Sequence, residues 1–406
     1  MTKKSSEGDR DLSRFTRRGF LQGAAALAAA SQPLPINAAT GSRVVAYIGG
    51  YTDKNGYALY IYDVDTSNGK LTRRTAFKDY PSPSSLAFDP QKKYLYAVNE
   101  ISNYNGTKNG SVTAWAIQGD GGLQFLNTAS SQGGGPAHLS VDPSGKWVFA
   151  ANYGGGSVAV LPIRSDGSFG DATDVQALTG PLGPHIPVGA PPFDFADSGH
   201  DSYHAHMAQT DPAGNFLLVN DLGTDRVFSY KFDKVAGKLT ANGFVQSNPG
   251  AGPRHLSFHP NGQWVYVINE EASTLDFMIY DAAAGSLTLL RTISSLPAGY
   301  EGTNYPSEIE VSANGRFVYA ANRLHNTISS FSIDPGTGYP AFRNEFWTRG
   351  DYPRQFAFEP NGNFAYVCHS RSDNVTSFSV DPGSGDLTFT GYTGVYNPSK
   401  ILFLAL

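Results

Sequence analysis

One pattern recurs through this chain often enough to fix what it can fold into: an apolar strand, a tight turn and a second apolar strand. Its clearest copy is Gly252-Pro253-Arg254-His255-Leu256-Ser257-Phe258-His259-Pro260-Asn261-Gly262-Gln263-Trp264-Val265-Tyr266-Val267-Ile268-Asn269-Glu270. Pro and Gly set the turn, while Val, Ile and aromatic residues favour extended chain on either side. Further copies occupy residues 83–100, 136–153, 204–222, 306–323 and 353–370. Their turns begin at Asp89, Asp142, Asp211, His259, Ser312 and Glu359, so adjacent turns are 53, 69, 48, 53 and 47 residues apart. Two more strand-like runs follow each hairpin, for example 275–280 and 287–293. Four strands at a period near 50 residues predict the blades of a β-propeller.

The ends of the repeat give the blade number. Residues 398–404 read as a first strand with no partner after it, and residues 44–52 as a second strand with nothing before it. Joined, they make a seventh blade, and that closure removes the open sheet edges that invite aggregation. The expectation is an all-β, seven-bladed propeller of four-stranded blades, one domain spanning 43–406, closed where the N-terminal and C-terminal strands share a blade. Charged residues are only 16% of the chain, with 13% aromatics, 45 Gly and 25 Pro, which suits short strands and turns. A net charge of -5 leaves no footprint for nucleic acid or an anionic membrane. The one cysteine, Cys368, cannot form an internal disulfide and sits in an apolar strand pattern, so it is expected to be buried and inert.

Residues 1–39 read differently. Thr16-Arg17-Arg18-Gly19-Phe20-Leu21 precedes an Ala-rich apolar run and small residues near Ala38, the layout of a twin-arginine export signal. The run is too short to span a bilayer stably. A periplasmic or secreted protein is expected, using the twin-arginine translocation machinery during export and making no stable membrane insertion after cleavage. The 69-residue spacing contains residues 176–203, rich in Pro, Gly and Asp, either a flap over the channel mouth or a surface excursion.

Register can be counted from the turns. Five residues before each turn sit Ser84, Ala137, His206, Arg254, Ser307 and Arg354; one step later come Ser85, His138, Met207, His255, Glu308 and Gln355. Eleven residues after it sit Glu100, Tyr153, Leu222, Glu270, Arg323 and Ser370. Antiparallel pairing puts all three rows at one end of the propeller, around the central channel. His206, Arg254 and Glu270 are the candidate catalytic residues; Arg323, His204, His255 and His138 are candidate substrate-binding residues. Arginine offers planar, bidentate recognition of an anion, and His or Glu can move a proton. His138 and His255 could instead bond backbone between blades, and His204 shares the direction of His206 if the strand is regular. No metal or other cofactor is expected: His204-Ala205-His206 has no matching ligand cluster. Gly133-Gly134-Gly135 does not open a helix, so no phosphate loop is read there. No Gly-x-Ser-x-Gly elbow points to a serine nucleophile.

The repeat, the stretch from Gly252 to Glu270, Tyr203-His204-Ala205-His206 and residues 317–323 together resemble the seven-bladed propeller lactonase family, which includes bacterial propeller-type 6-phosphogluconolactonases and fungal carboxy-muconate cycloisomerase. The resemblance implies a metal-independent lactonase acting on a sugar-acid or related anionic lactone. In the cycloisomerase branch the functional set is a His, two Arg and a Glu, and His206, Arg254, Glu270 and Arg323 are similar to it. It leaves open whether His206 or Glu270 is the base. Two alternatives stand beside it: a lactone-forming, muconate cycloisomerase-like enzyme, and a non-catalytic exported ligand-binding or scaffold propeller.

Overall fold

The recurring hairpins form, and each is extended outward by two further strands. The computed structural model describes residues 43–196 and 198–406; the export signal expected at 1–39 lies outside the described residues. Among those described, the strands make seven four-stranded antiparallel sheets. The opening hairpin becomes the two inner strands of blade 5, Pro253–Phe258 and Trp264–Asn269, followed by Thr274–Asp281 and Ser286–Ser294. Innermost strands of successive blades touch in a closed cycle. Blade 1 is composite: Pro398–Ala405 from the C-terminal end pairs antiparallel with Val44–Gly50, which continues to Tyr57–Asp65 and Lys70–Lys78.

Local chemistry explains the turns. In four blades an acidic residue opens the turn and its carboxylate takes the turn's N–H groups: Asp89 from Tyr94, Asp142 from Trp147, Asp211 from Phe216 and Glu359 from Asn363. Blade 5 uses Asn261, and blade 6 uses the Ser312 hydroxyl. Second strands are buried on both faces, which accounts for their unbroken apolar sequence.

Neighbouring blades are fastened by a repeated hydrogen bond. Tyr47, Tyr96, Tyr266 and Tyr319 donate their hydroxyls to the carbonyls of Gly121, Gly167, Gly338 and Gly385 in the next blade, at 2.8, 3.1, 2.7 and 2.7 Å. Gly385 has φ +74, and a Cβ there would lie 2.6 Å from Tyr319 Oη; close approach and left-handed backbone both require glycine. Cys368 is fully buried, and burial pushes its thiol well above the ordinary range.

The long connection begins after Asp174–Ala177, the short fourth strand of blade 3, so residues 176 and 177 belong to that strand. From Leu178 it runs along the mouth-side loops of later blades. Gly183 N bonds Gly223 O, Val188 N bonds Pro249 O, and Gly302 N bonds Pro192 O. His200 pairs with Asp225 at 2.9 Å, and Gly199 N donates to Glu271. The segment is a tethered rim beside the mouth.

The latch generates a differential prediction. The Tyr366 hydroxyl is as buried as that of Tyr319 but has no protein partner among the described residues. Tyr319→Phe should lower urea-unfolding stability by about 1–2 kcal/mol, because it orphans a buried carbonyl. Tyr366→Phe should leave it within about 0.5 kcal/mol.

Candidate active site

The mouth is built by a backbone irregularity. In six blades the innermost strand carries a β-bulge next to its start: around Ala137, His206, Arg254, Ser307, Arg354 and Ser399. Two residues there oppose one on the partner strand, so consecutive side chains that would alternate are re-aimed to the same side. That is why Arg254 and His255, neighbours in sequence, both line one cavity. Ser84, Ser85, His206, Glu308, Arg354 and Lys400 also line it.

A buried ion cluster forms one wall. Glu270 Oε2 lies 2.8 Å from Arg254 Nε and 2.8 Å from Arg323 Nη2. Arg254 Nη1 also donates to Ser307 O. Arg323 donates to Tyr305 O at 2.7 Å and stacks over Tyr352. Burial alone would raise the Glu270 carboxyl, but Arg323 and Arg254 outweigh it and hold it below the ordinary carboxylate range. Arg254 is lowered to about 10, mainly by burial with Glu270 opposing, so it stays charged at neutral pH.

The facing wall is a chain of imidazoles. His206 Nδ1 is 3.2 Å from His255 Nε2, and His255 Nδ1 is 2.8 Å from Glu308 Oε1. Lys400 Nζ is 3.6 Å from Glu308 Oε2. Burial first, then Arg254, drive both His206 and His255 well below the ordinary histidine value. Tyr153 sets its ring edge against His206.

Not every expected residue reaches the cavity. His206, Arg254 and His255 line it; Glu270 and Arg323 stand behind Arg254. His138 lies behind the wall, where Nδ1 accepts the Ala208 N–H of the next blade at 3.5 Å. His204 precedes the irregular strand and turns away: it stacks on Tyr153 and bonds Tyr153 O and Asp201, at 3.1 and 2.7 Å. Both its nitrogens are used by protein, so it ties the rim segment to blade 3. Four side chains were not singled out from sequence: Glu308, Arg354, Lys400 and Glu100. Arg354 sits 3.8 Å from Glu100, which also accepts Tyr51 OH at 2.9 Å. Glu308 and Arg354 stand at the same repeat positions as His255 and Arg254, a signal the sequence did contain. Among the described residues no three of His, Cys, Asp and Glu are grouped to hold a metal. Larger grooves of about 440 and 630 Å³ lie elsewhere on the surface, and neither joins a histidine to a carboxylate.

His138 offers a test of its structural placement. Burial, then Lys400, hold it at about 3, so the unfolded chain protonates it below about 6.5 while the folded chain does not. Its contribution to stability is therefore complete above that pH and shrinks as acid is added. Relative to His138→Gln, the wild type should lose about 1.4 kcal/mol per pH unit below 6.5, read from urea unfolding between about pH 7 and pH 5.

Comparison with known proteins places this geometry. A family model described as "Lactonase, 7-bladed beta-propeller" matches residues 45–403. The chain is 31% identical to a Bacillus subtilis 6-phosphogluconolactonase over 76% of this chain and 83% of that protein. It is 30% identical to a Serratia proteamaculans 6-phosphogluconolactonase over 61% and 66%. The solved structure of a Pseudomonas aeruginosa periplasmic gluconolactonase superposes with a TM-score of 0.81 at 30% identity, covering 90% of this chain and 99% of that one. The chain belongs to the seven-bladed β-propeller lactonase family.

Proposed function

We propose that this lactonase opens an anionic sugar-acid lactone at the channel mouth, with His206 as proton acceptor and Arg254 as the group that meets charge developing on the carbonyl oxygen. One observation carries the reading: an imidazole and a guanidinium, both buried and from adjacent blades, line the same opening. Glu270 is engaged by two arginines and does not line the opening. Its part is to hold both guanidiniums in place. The contacts of Arg254 through Nε and Nη1 leave Nη2 outside them, available to an oxyanion.

The enclosed space between the side chains is about 20 Å³, room for one water molecule. The lactone ring rests over the opening with its carbonyl directed inward. Water attacks the carbonyl carbon and gives a proton to His206 as the new C–O bond forms. The ring C–O bond then breaks, and the leaving alkoxide recovers that proton, so lactone and water become a hydroxy acid. Four cations (Arg254, Arg323, Arg354 and Lys400) face three carboxylates (Glu270, Glu308 and Glu100), a balance that favours an anionic substrate. The pair of Arg354 with Glu100 is long and partly exposed, suited to exchange for a substrate carboxylate or phosphate.

The twin-arginine sequence and the likeness to a periplasmic gluconolactonase support action in the periplasm or beyond. Among the described residues no helix is long and apolar enough to cross a membrane.

A lactone panel followed by pH-stat acid release tests the activity. His206→Ala should lower kcat by about 10²–10⁴-fold, and Arg254→Lys should lower kcat/KM by about 10²-fold or more, both with unchanged circular dichroism. Tight binding of sugar acids with no lactone turned over would instead identify a binding protein. The pH profile is a separate check. A base held well below the ordinary histidine value stays unprotonated through neutrality, so the acid limb of kcat/KM should fall below pH 6.5; a limb at or above that value removes His206 from the role.

A further inference from the structure

We infer that Glu308, acting through His255, is a positioning residue that fixes the tautomer of His206 and leaves His206 Nε2 as the proton acceptor at the mouth. The inference rests on the proposed role of His206 as base. Its grounds are three side chains from consecutive blades joined end to end: Glu308 on Pro306–Val311, His255 on Pro253–Phe258 and His206 on Ala205–Thr210.

The proton positions follow from donor and acceptor chemistry. A carboxylate only accepts, so the 2.8 Å contact with Glu308 Oε1 requires a proton on His255 Nδ1. His255 is buried, with Arg254, Lys400 and Arg354 nearby, and this disfavours a second proton on its ring. Nε2 of His255 is therefore a lone pair. His206 Nδ1, 3.2 Å away, must donate to it. A neutral His206 with its proton on Nδ1 carries a lone pair on Nε2, and Nε2 has no protein hydrogen bond among the described residues. The ring edge that faces the cavity is thus the basic one.

The same chain serves the charged intermediate. When His206 Nε2 takes the water proton, the imidazolium keeps its Nδ1–H on His255, whose own Nδ1–H is held by the Glu308 carboxylate. Negative charge lies two rings away, in a site otherwise crowded with cations. His206 is faced by Arg254 and His255 of blade 5, Arg323 of blade 6, Arg354 of blade 7 and the Tyr153 ring of blade 3. Among these neighbours only the Glu308 chain favours the proton's arrival through a hydrogen bond to the ring. Lys400 holds the other carboxylate oxygen of Glu308 and keeps it turned toward His255.

Two measurements test the arrangement. In wild-type protein with ¹⁵N-labelled histidine, two-bond ¹⁵N–¹H spectra should show His255 and His206 both protonated on Nδ1 and bare on Nε2; a proton on Nε2 of either ring overturns the inference. In Glu308→Gln the amide can face His255 with either its oxygen or its nitrogen, so the tautomer preference should weaken. There kcat should fall by about 10²-fold with KM within about twofold, and its acid limb should move. Glu308→Gln/His255→Gln should lose no more than the worse single variant, because the two residues act as one unit. Losses that multiply, or a Glu308→Gln enzyme with unchanged kcat and pH profile, overturn it. Should the wild type turn over no lactone, the proposed function fails on that result alone, and the histidine spectra still decide the hydrogen-bond chain.

Discussion

The mouth depends on the β-bulge that opens the inner strand in six of the seven blades. A propeller's innermost strand is the edge of its sheet, and a regular strand sends every second side chain sideways into the next blade. The bulge breaks that alternation at one register position and gives the cavity adjacent side chains such as Arg254 and His255, Arg354 and Gln355, and Ser399 and Lys400. It also leaves backbone groups unpaired, and neighbouring blades supply their partners. Ser307 Oγ donates to Pro353 O, and Ser399 Oγ to Ser84 O. Inward N–H groups are taken likewise: Ala208 by His138, Leu256 by Met207 Sδ, and Ile401 by Gln355 Oε1. The residue just after the bulge in one blade thus satisfies the backbone of the next. The cavity wall and the ring's inner fastening are drawn from the same stretch of the inner strands, and His138 falls on the fastening side.

Position then sorts the candidates for proton transfer. Glu270 and His206 are both buried beside arginines, and those cations lower the proton affinity of both, whereas burial raises it for the carboxylate and lowers it for the imidazole. Cations stabilise an ionised carboxylate and oppose a protonated imidazole. Glu270 is taken up by two guanidiniums and does not line the opening, whereas His206 does. Removing either arginine would leave Glu270 less compensated in a buried site, a change of several kcal/mol. The acidic residue thus sustains the arginines' geometry, and the imidazole is left for the chemistry.

The fold was legible because its period was. Turns spaced near 50 residues, together with the unpaired strands at 398–404 and 44–52, contained the blade number and the ring closure. Counting from each turn also gathered Arg254, Glu270, His206 and Arg323 at one end. The bulge was not legible, since an inserted residue leaves no mark in a pattern of apolar and polar types. A regular strand would carry His204 in the direction of His206, but it lies before an irregular strand and bonds Asp201. The roles of Glu308 and Lys400 are not legible for a different reason. Pro253-Arg254-His255, Pro306-Ser307-Glu308 and Pro398-Ser399-Lys400 align, yet their third residues differ in charge, and nothing in one blade reveals which partner the next will offer.

That independence of the blades is what lets such a mouth acquire chemistry without disturbing the fold. The equivalent position of each inner strand, bulged in six of the seven blades, holds Ser399, Ser84 and Ala137 in blades 1 to 3 and Ser307 in blade 6, but His206, Arg254 and Arg354 in blades 4, 5 and 7. Ser84, Ala137 and Ser399 line the same cavity as the three large groups. On the proposed reading, a substrate whose carbonyl meets Arg254 and His206 has Ser84 and Ala137 in the same cavity lining. Backbone hydrogen bonds at those two positions do not depend on the Cβ substituent, so enlarging either side chain changes what fits while the ring stays closed. On the proposed reading, specificity is set at these small residues, apart from His206 and Arg254.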